Sequence, residues 1–168
     1  MAQIKSAGVI GAGVIGSGWI ARLLLNGVNV CVFDPSKEAP KNVDKVIQNA
    51  ERAYKNLLKS KLPEKGNLTF AKTIADVSKS SELIIEAVPE RLSAKQSVYD
   101  EIESNGSKDL IITSSTSGIL PSDLQSETAD EDFLAVVFAA DFAFVVAFLP
   151  RLTRESNDPS RFLPKRWS

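Results

Sequence analysis

Three glycines near the start of the chain have a spacing that suits the binding of a diphosphate. Gly11, Gly13 and Gly16 form a G-x-G-x-x-G motif, and a carboxylate, Asp34, follows further along the chain. In such a motif the first glycine permits a tight turn, the second lets a diphosphate approach the backbone, and the third lets a helix pack closely. A carboxylate about twenty residues later can accept hydrogen bonds from ribose hydroxyls. Together these residues predict a dinucleotide site.

The predicted dinucleotide is NAD. Val14 and Ile15 open a helical pattern directly after the second glycine, so their backbone N–H groups would face the phosphates along with the positive end of the helix dipole. Asp34 would hydrogen-bond the ribose hydroxyls and repel a 2′-phosphate, which favours NAD over NADP. The bare glycine motif also occurs in turns that bind no ligand. The flanking strands and the acid therefore carry the prediction.

Regular elements must position these residues, and the sequence predicts an alternation of strands and helices. Strands are predicted at 5–11, 28–33, 68–70, 83–88, 110–113 and 133–138, and helices at 14–26, 39–58, 74–79, 91–104 and 119–124. This alternation predicts an α/β fold of the Rossmann type, with a doubly wound parallel sheet. The carboxyl ends of its strands would gather residues 11–16, Asp34, 88–91 and 114–118 into one site.

Composition excludes several other classes of protein. The chain has 168 residues, 43% of them hydrophobic and 24% charged, with a formal net charge of −1. Its size suits one domain, and the absence of a basic run argues against a nucleic-acid partner. The single cysteine, Cys31, is expected to pack as a small apolar residue. One cysteine cannot form a disulfide within the chain, which suits a reducing compartment. With no signal or transit segment recognised, we expect a cytoplasmic protein without a metal or a membrane partner.

The order of several motifs resembles the 3-hydroxyacyl-CoA dehydrogenase family, and is most similar to its L-carnitine dehydrogenase-like members. These motifs are GVIGAGVIGSGW, VFDP, NAERAY, LPEKGNLTF, EAVPERL and SSTSGILPSDLQSE, and the resemblance covers residues 1–127. It implies oxidation of a 3-hydroxyl to a 3-keto group with hydride transfer to NAD. It also implies a small-molecule substrate, either carnitine or a 3-hydroxyacyl-CoA, a place in fatty acid metabolism, and a homodimer in full-length relatives.

The resemblance assigns further site residues by position. Gly11, Gly13, Gly16 and Asp34 would hold the adenosine half of NAD.

On the nicotinamide side, the resemblance implies that Glu90 lies near the ring, that Lys95 contacts the cofactor, and that Ser115 lies near the nicotinamide. Ser117 would hydrogen-bond the substrate hydroxyl or ketone and is the candidate catalytic residue. The residues alone allow plainer interpretations. Residues 114–117 could cap the next helix, and Glu90 could be an ordinary acid at a helix N-terminus.

The sequence departs from the family pattern after Glu127. The family continues with a histidine base and an all-helical second domain, whereas this chain contains no histidine. We therefore predict an NAD-binding Rossmann domain at 1–138 and an atypical tail at 139–168, poorly ordered or from an altered reading frame. Residues 133–149 read as a final strand with an apolar segment, or as a membrane helix, which Asp141 disfavours. An impaired dehydrogenase is expected, and the alternative is a non-catalytic NAD-binding module or regulatory fragment.

Overall fold

A computed structural model describes residues 4–57, 62–116, 118–120, 123–124 and 134–136. The strands are β1 (Ser6–Ile10), β2 (Asn29–Phe33), β3 (Leu68–Phe70), β4 (Leu83–Glu86), β5 (Ile111–Ser114) and β6 (Leu134–Val136). The helices are α1 (Val14–Leu25), α2 (Ala39–Leu57), α3 (Ile74–Ser80) and α4 (Leu92–Asn105).

The six strands form one sheet in the order β3-β2-β1-β4-β5-β6, and every neighbouring pair is parallel. Gly8 of β1 lies in register with Cys31 on one side and with Ile84 on the other. The chain first builds outward from β1 to β3 and then returns to the far side of β1 with β4. The predicted doubly wound parallel sheet is confirmed, and its order reverses between β1 and β4.

Alternate residues of each strand face opposite sides of the sheet, and helices cover both sides. Val9 belongs to a buried cluster with α1 and α2, whereas its neighbour Ile10 belongs to a second cluster with α3 and α4. The amphipathic helix α2 contributes Val43 and Ile47, which are four residues apart and therefore on one face. Fully burying each such side chain contributes about 1.5–3 kcal/mol to the free energy of unfolding. Coverage on both sides explains why the strands read as continuous apolar runs.

The inward face of α4 differs from the face that the apolar pattern predicts. The sequence favours Leu92, Val98 and Ile102 as the buried side, but Leu92 is 37% exposed. The buried residues of this helix are Lys95, Tyr99 and Ile102. The physical reason is the carboxylate of Glu86, which ends β4 and requires polar partners from the helix above it. Hydrophobic periodicity does not register a buried face that is partly polar.

Several expectations are met only in part by the described residues. The strand predicted at 83–88 ends at Glu86, and the strand predicted at 133–138 is present as β6. Cys31 is half-buried and packs against the second cluster. Of the helix predicted at 119–124, residues 123–124 are helical, whereas residues 119–120 are not, and 121–122 lie outside the described residues. The tail at 139–168 also lies outside them.

Among the residues that the structure describes, no helix is both long enough and apolar enough to cross a bilayer.

Candidate functional site

The glycine turn after β1 brings three backbone segments into close contact. Gly11 has a φ of +93°, which favours glycine, and a Cβ there would stand 2.5 Å from the carbonyl oxygen of Ala87. Its N–H donates to the Phe33 carbonyl at 2.9 Å. A Cβ on Gly16 would overlap the carbonyl oxygen of Gly11. The first and third glycines of the motif are therefore required by the packing of the turn itself.

Gly13 has a different environment, because a Cβ there would meet no protein atom within 4 Å. It caps α1 without a side-chain hydrogen bond, and the helix begins at Val14. Val14 is 90% exposed and Ile15 is 52% exposed. The first N–H groups of a helix have no acceptor within the helix. The turn therefore presents backbone donors beside the open space at Gly13, the arrangement that binds anions at helix N-termini.

Asp34 lies beside this turn and is held by it. Its Oδ2 accepts a hydrogen bond from the backbone N–H of Ala12 at 2.7 Å, and its Oδ1 accepts from the N–H of Ser36 at 2.8 Å. Asp34 is half-buried. The predicted pairing of the glycine turn with a carboxylate at the end of β2 is thus present in three dimensions. Its contact with ribose remains a prediction.

A buried carboxylate, Glu86, forms the centre of a second cluster at the switch point. The side chain is fully enclosed, and Lys95 Nζ donates to its two oxygens at 2.8 and 2.9 Å. Oε1 also accepts from the Val88 N–H at 2.7 Å. Oε2 accepts from Tyr99 Oη at 2.8 Å and from Ser114 Oγ at 2.6 Å. Five donated hydrogen bonds join β4, α4, β5 and the loop after β4.

The phenol of Tyr99 keeps its proton within this cluster. Burial raises the pKa of Tyr99 far above its usual value, and the neighbouring charge of Glu86 raises it further. The phenol is therefore a permanent donor to the carboxylate at neutral pH.

Glu90 joins the loop after β4 to the segment after β5. Its side chain is 42% exposed, and Oε1 accepts hydrogen bonds from Thr116 Oγ1 and from the Gly118 N–H, the latter at 2.7 Å. Its Oε2 lies 3.7 Å from the Nζ of Lys95. Ser115 Oγ donates to the Glu86 carbonyl at 3.0 Å. The structure thus brings Glu90, Lys95 and Ser115 together at the carboxyl ends of β4 and β5.

The roles expected of these residues stay predictions. Lys95 has no exposed side-chain surface, because its ammonium group is enclosed by Glu86. Ser117, the candidate for the substrate contact, lies outside the described residues. Sequence analysis missed Glu86, which stands inside an apolar run and resembles an ordinary strand end. The sequence does contain one signal. Lys95 and Tyr99, which both bond to Glu86, are four residues apart and therefore share one face of a helix.

No group of three or more metal-ligating side chains occurs among residues 4–57, 62–116 and the shorter described segments.

A glycine turn and a strand-end carboxylate at the switch point of a 3-2-1-4-5-6 sheet define a dinucleotide-binding domain of the Rossmann class. Residues 6–142 match the family model described as 3-hydroxyacyl-CoA dehydrogenase, NAD binding domain. The chain therefore belongs to the 3-hydroxyacyl-CoA dehydrogenase family and contains its NAD-binding domain. The match extends past Glu127, where the resemblance was expected to end.

Relatives with assigned functions point to one branch of this family. The chain is 50% identical over 125 residues to an L-carnitine dehydrogenase of Mesorhizobium japonicum, covering 74% of this chain and 34% of the relative. It is 48% identical over 127 residues to an L-carnitine dehydrogenase/betainyl-CoA thioesterase of Rhizobium sp, covering 76% of this chain and 26% of the relative. The chain thus spans about a third or less of the length of these relatives.

Solved structures agree with the fold. An NAD⁺-dependent dehydrogenase of a pyridine carboxylic acid superposes with a TM-score of 0.71 at 31% identity, covering 80% of this chain and 44% of the other. The (S)-3-hydroxybutyryl-CoA dehydrogenase of Ralstonia eutropha superposes with a TM-score of 0.66 at 25% identity, covering 80% and 49%. Both similarities cover about half or less of the solved chains.

Proposed function

We propose that this chain supplies the NAD-binding part of a dehydrogenase that oxidises the 3-hydroxyl group of L-carnitine to a ketone. The observation that carries the proposal is the glycine turn, with open space at Gly13 and with Asp34 bonded to the turn at 2.7 Å. The substrate is taken from the relatives named L-carnitine dehydrogenase, at up to 50% identity. A 3-hydroxyacyl-CoA is the alternative substrate, since the family model carries that name.

Each part of the site has a role in this proposal. The backbone N–H groups at the start of α1 bind the diphosphate, and Asp34 accepts hydrogen bonds from the adenosine ribose. Glu90 and Ser115 orient the nicotinamide half, and Ser117 binds the oxygen of the substrate. NAD, when bound, accepts the hydride from the substrate carbon. The protein contributes binding and orientation, and it sets which face of the ring meets the substrate.

We also propose a cellular compartment, a metabolic role and an oligomeric state for the enzyme. We place it in the cytoplasm, in fatty acid metabolism, as part of a homodimer. The content of one cysteine in 168 residues supports a reducing compartment.

The test combines binding with turnover. NAD is titrated into the purified chain by calorimetry, and L-carnitine and 3-hydroxybutyryl-CoA are then supplied with NAD while NADH is followed by absorbance. Saturable NAD binding is expected, with only slow NADH formation from L-carnitine, because the chain contains no histidine base. NADH formation from the acyl-CoA alone would select the alternative substrate. A folded chain that gives no heat with millimolar NAD would overturn the assignment.

One observation favours a second candidate function. The chain contains no histidine, whereas alcohol-to-ketone dehydrogenases of this family use a histidine base. Loss of a positioned base lowers the rate by about a hundred- to ten-thousand-fold. The second candidate is therefore a non-catalytic NAD-binding module. Tight NAD binding without NADH formation from either substrate would select it.

A further inference from the structure

The two halves of a dinucleotide must lie over different strands of this sheet. Asp34 ends β2 and the glycine turn ends β1, so the adenosine ribose and the diphosphate occupy that side. A dinucleotide in such a sheet crosses the point where the strand order reverses. The second half therefore extends over the ends of β4 and β5. At those ends lie Glu90, Thr116 and Gly118, which are already joined by hydrogen bonds.

Glu86 ends β4 beneath this second half, and its side chain is bonded to the loop, the helix and the strand that carry it. Its side chain, like that of Lys95, has no exposed surface, so it would act on a ligand through its neighbours. It bonds the loop through the Val88 N–H, the helix through Lys95, and β5 through Ser114. All five hydrogen bonds are donated to the Glu86 side chain, so it acts as the acceptor toward each of these elements.

Lys95 links the buried Glu86 to the partly exposed Glu90. Its Nζ is shared between Glu86 at 2.8 Å and Glu90 at 3.7 Å, and it also donates to the Val88 carbonyl at 3.4 Å. One buried ammonium group thus balances a buried carboxylate and attracts a second carboxylate that reaches the surface. Removing the charge of Glu86 would leave Lys95 buried beside Glu90 alone. Glu90 would then be drawn inward, away from its bonds to Thr116 and Gly118.

We propose that Glu86 is a positioning residue for the nicotinamide half of the cofactor site. Through Lys95 it holds Glu90 in place, and through Ser114 it holds the segment after β5. Thr116 and Gly118, which both donate to Glu90, flank Ser117 in the sequence. The inference rests on the dinucleotide site of the proposed function. It does not depend on turnover.

The test compares two ligands that share one half of the cofactor. ADP-ribose contains the adenosine, the diphosphate and the second ribose, whereas NADH adds the nicotinamide. Both are titrated by calorimetry into the full chain and into Glu86→Gln. We expect the NADH affinity of the variant to fall on the order of tenfold, the effect of losing one charge-assisted hydrogen bond. The ADP-ribose affinity is expected to change by less than about twofold.

A matched control removes a different hydrogen bond to the same carboxylate. Tyr99→Phe removes one donor to Glu86 from α4 and leaves the loop contacts intact. We expect this variant to keep the wild-type ratio of NADH to ADP-ribose affinity. A purely structural role would lower both affinities together in Glu86→Gln and leave that ratio unchanged, which would overturn the proposal.

A second variant covers the case in which Glu86→Gln does not fold. Glu86→Gln combined with Lys95→Met neutralises both buried partners, which is better tolerated than removing one of them. It should fold and should also lose NADH affinity selectively, because Glu90 then lacks the ammonium group that lies 3.7 Å from its Oε2. Failure of both variants to fold would assign the pair to the core alone and overturn the inference. A wild-type chain that binds neither ligand would instead overturn the proposed function.

Discussion

Asp34 is bonded within the fold through the same carboxylate that we propose for ribose binding. Its oxygens accept hydrogen bonds from the Ala12 and Ser36 N–H groups, at 2.7 and 2.8 Å, yet the group is only half-buried. A carboxylate oxygen can accept more than one hydrogen bond, so ribose hydroxyls can be added to this arrangement. The negative charge is also the feature that would repel a 2′-phosphate.

We predict that Asp34→Ala weakens NAD binding by about tenfold or more, because charged hydrogen bonds to the ribose are lost. Its preference for NAD over NADP should fall as well, since the repulsive charge is absent. Fluorescence titration with both dinucleotides measures the two effects. Ser36→Ala, which retains the carboxylate, is the control and should keep the wild-type preference. An Asp34→Ala variant with unchanged affinity for NAD would contradict the assignment.

The glycines of α1 allow a sharper separation of binding from folding. Gly13 and Gly18 both have open space where a Cβ would stand, but Gly13 caps the helix and Gly18 lies within it. Alanine at Gly18 should raise the free energy of unfolding by about 0.5–1 kcal/mol, because a flexible residue leaves the helix interior. NAD affinity should not change in that variant.

Gly13→Ala is predicted to reduce NAD affinity by about tenfold, because its methyl group would occupy the approach of the diphosphate. Its free energy of unfolding should stay within about 1 kcal/mol of the wild type. Chemical denaturation and calorimetry on the two alanine variants check both statements. Equal NAD affinities for Gly13→Ala and Gly18→Ala would show that the turn does not meet the ligand.

At the scale of elements, the sequence predicted the strands and helices well wherever packing followed a simple period. β3 was predicted at 68–70, its observed bounds, and α2 at 39–58, against Ala39–Leu57. The glycine motif and Asp34 were likewise readable, because each residue type there has a known backbone or charge requirement. At these positions the local preference of each residue type agrees with the structure that the whole fold requires.

The cluster around Glu86 could not be predicted in the same way. Its members come from β4, α4, β5 and a loop, and no local pattern joins them. The apolar period placed Leu92 inside, whereas Lys95 and Tyr99 occupy that position because a buried carboxylate needs donors. Tertiary pairing of polar groups overrode the hydrophobic pattern on this helix.

A pH-dependent contact joins the amino-terminal ends of β1 and β4, at the end of the strands opposite the proposed site. Glu82, just before β4, accepts hydrogen bonds from the Lys5 and Ser6 N–H groups at 2.7 and 2.9 Å. These two backbone hydrogen bonds, Lys5 first, lower the pKa of Glu82. The folded pKa then lies below that of the unfolded chain. The contribution to stability is complete above the unfolded value of about 4.3 and is lost as the pH falls through the folded pKa.

We predict that Glu82→Gln makes stability less sensitive to acid. The melting temperature of the wild type should fall more steeply than that of the variant between about pH 5 and about pH 3. Thermal unfolding by circular dichroism at a series of pH values measures this difference. Glu64→Gln removes a carboxylate from the loop before β3 and serves as the control, with the acid response of the wild type expected. Parallel curves for wild type and Glu82→Gln would contradict the prediction.

At the scale of the whole molecule, the proposed cofactor site depends on both buried clusters. Val9 and Ile10, adjacent in β1, belong to opposite clusters, and the strand leads directly into the glycine turn. A ligand bound at this turn therefore stabilises a strand that both sides of the sheet share. Binding to the folded state alone must raise the free energy of unfolding of the whole domain.

We predict a rise in melting temperature with NAD. At a free NAD concentration of one hundred times its Kd, stabilisation of about 2.7 kcal/mol should raise the melting temperature by roughly 5–10 °C. Differential scanning fluorimetry follows the shift, and Asp34→Ala at the same NAD concentration should shift less. An NAD-independent melting temperature in a sample that binds NAD by calorimetry would show binding to the unfolded chain as well.

The hydrogen bond from Ala12 to Asp34 joins the glycine turn directly to the carboxylate, the two parts of the site that we propose for the dinucleotide. A fragment that engages the carboxylate, such as adenosine, would order the phosphate-facing amides before any phosphate arrives. Pyrophosphate would then bind more tightly to the adenosine-saturated chain than to the empty one, and thermodynamic linkage requires the reverse enhancement to be equal. Cooperative binding of adenosine and pyrophosphate, two fragments of the dinucleotide, would thus arise from a single carboxylate.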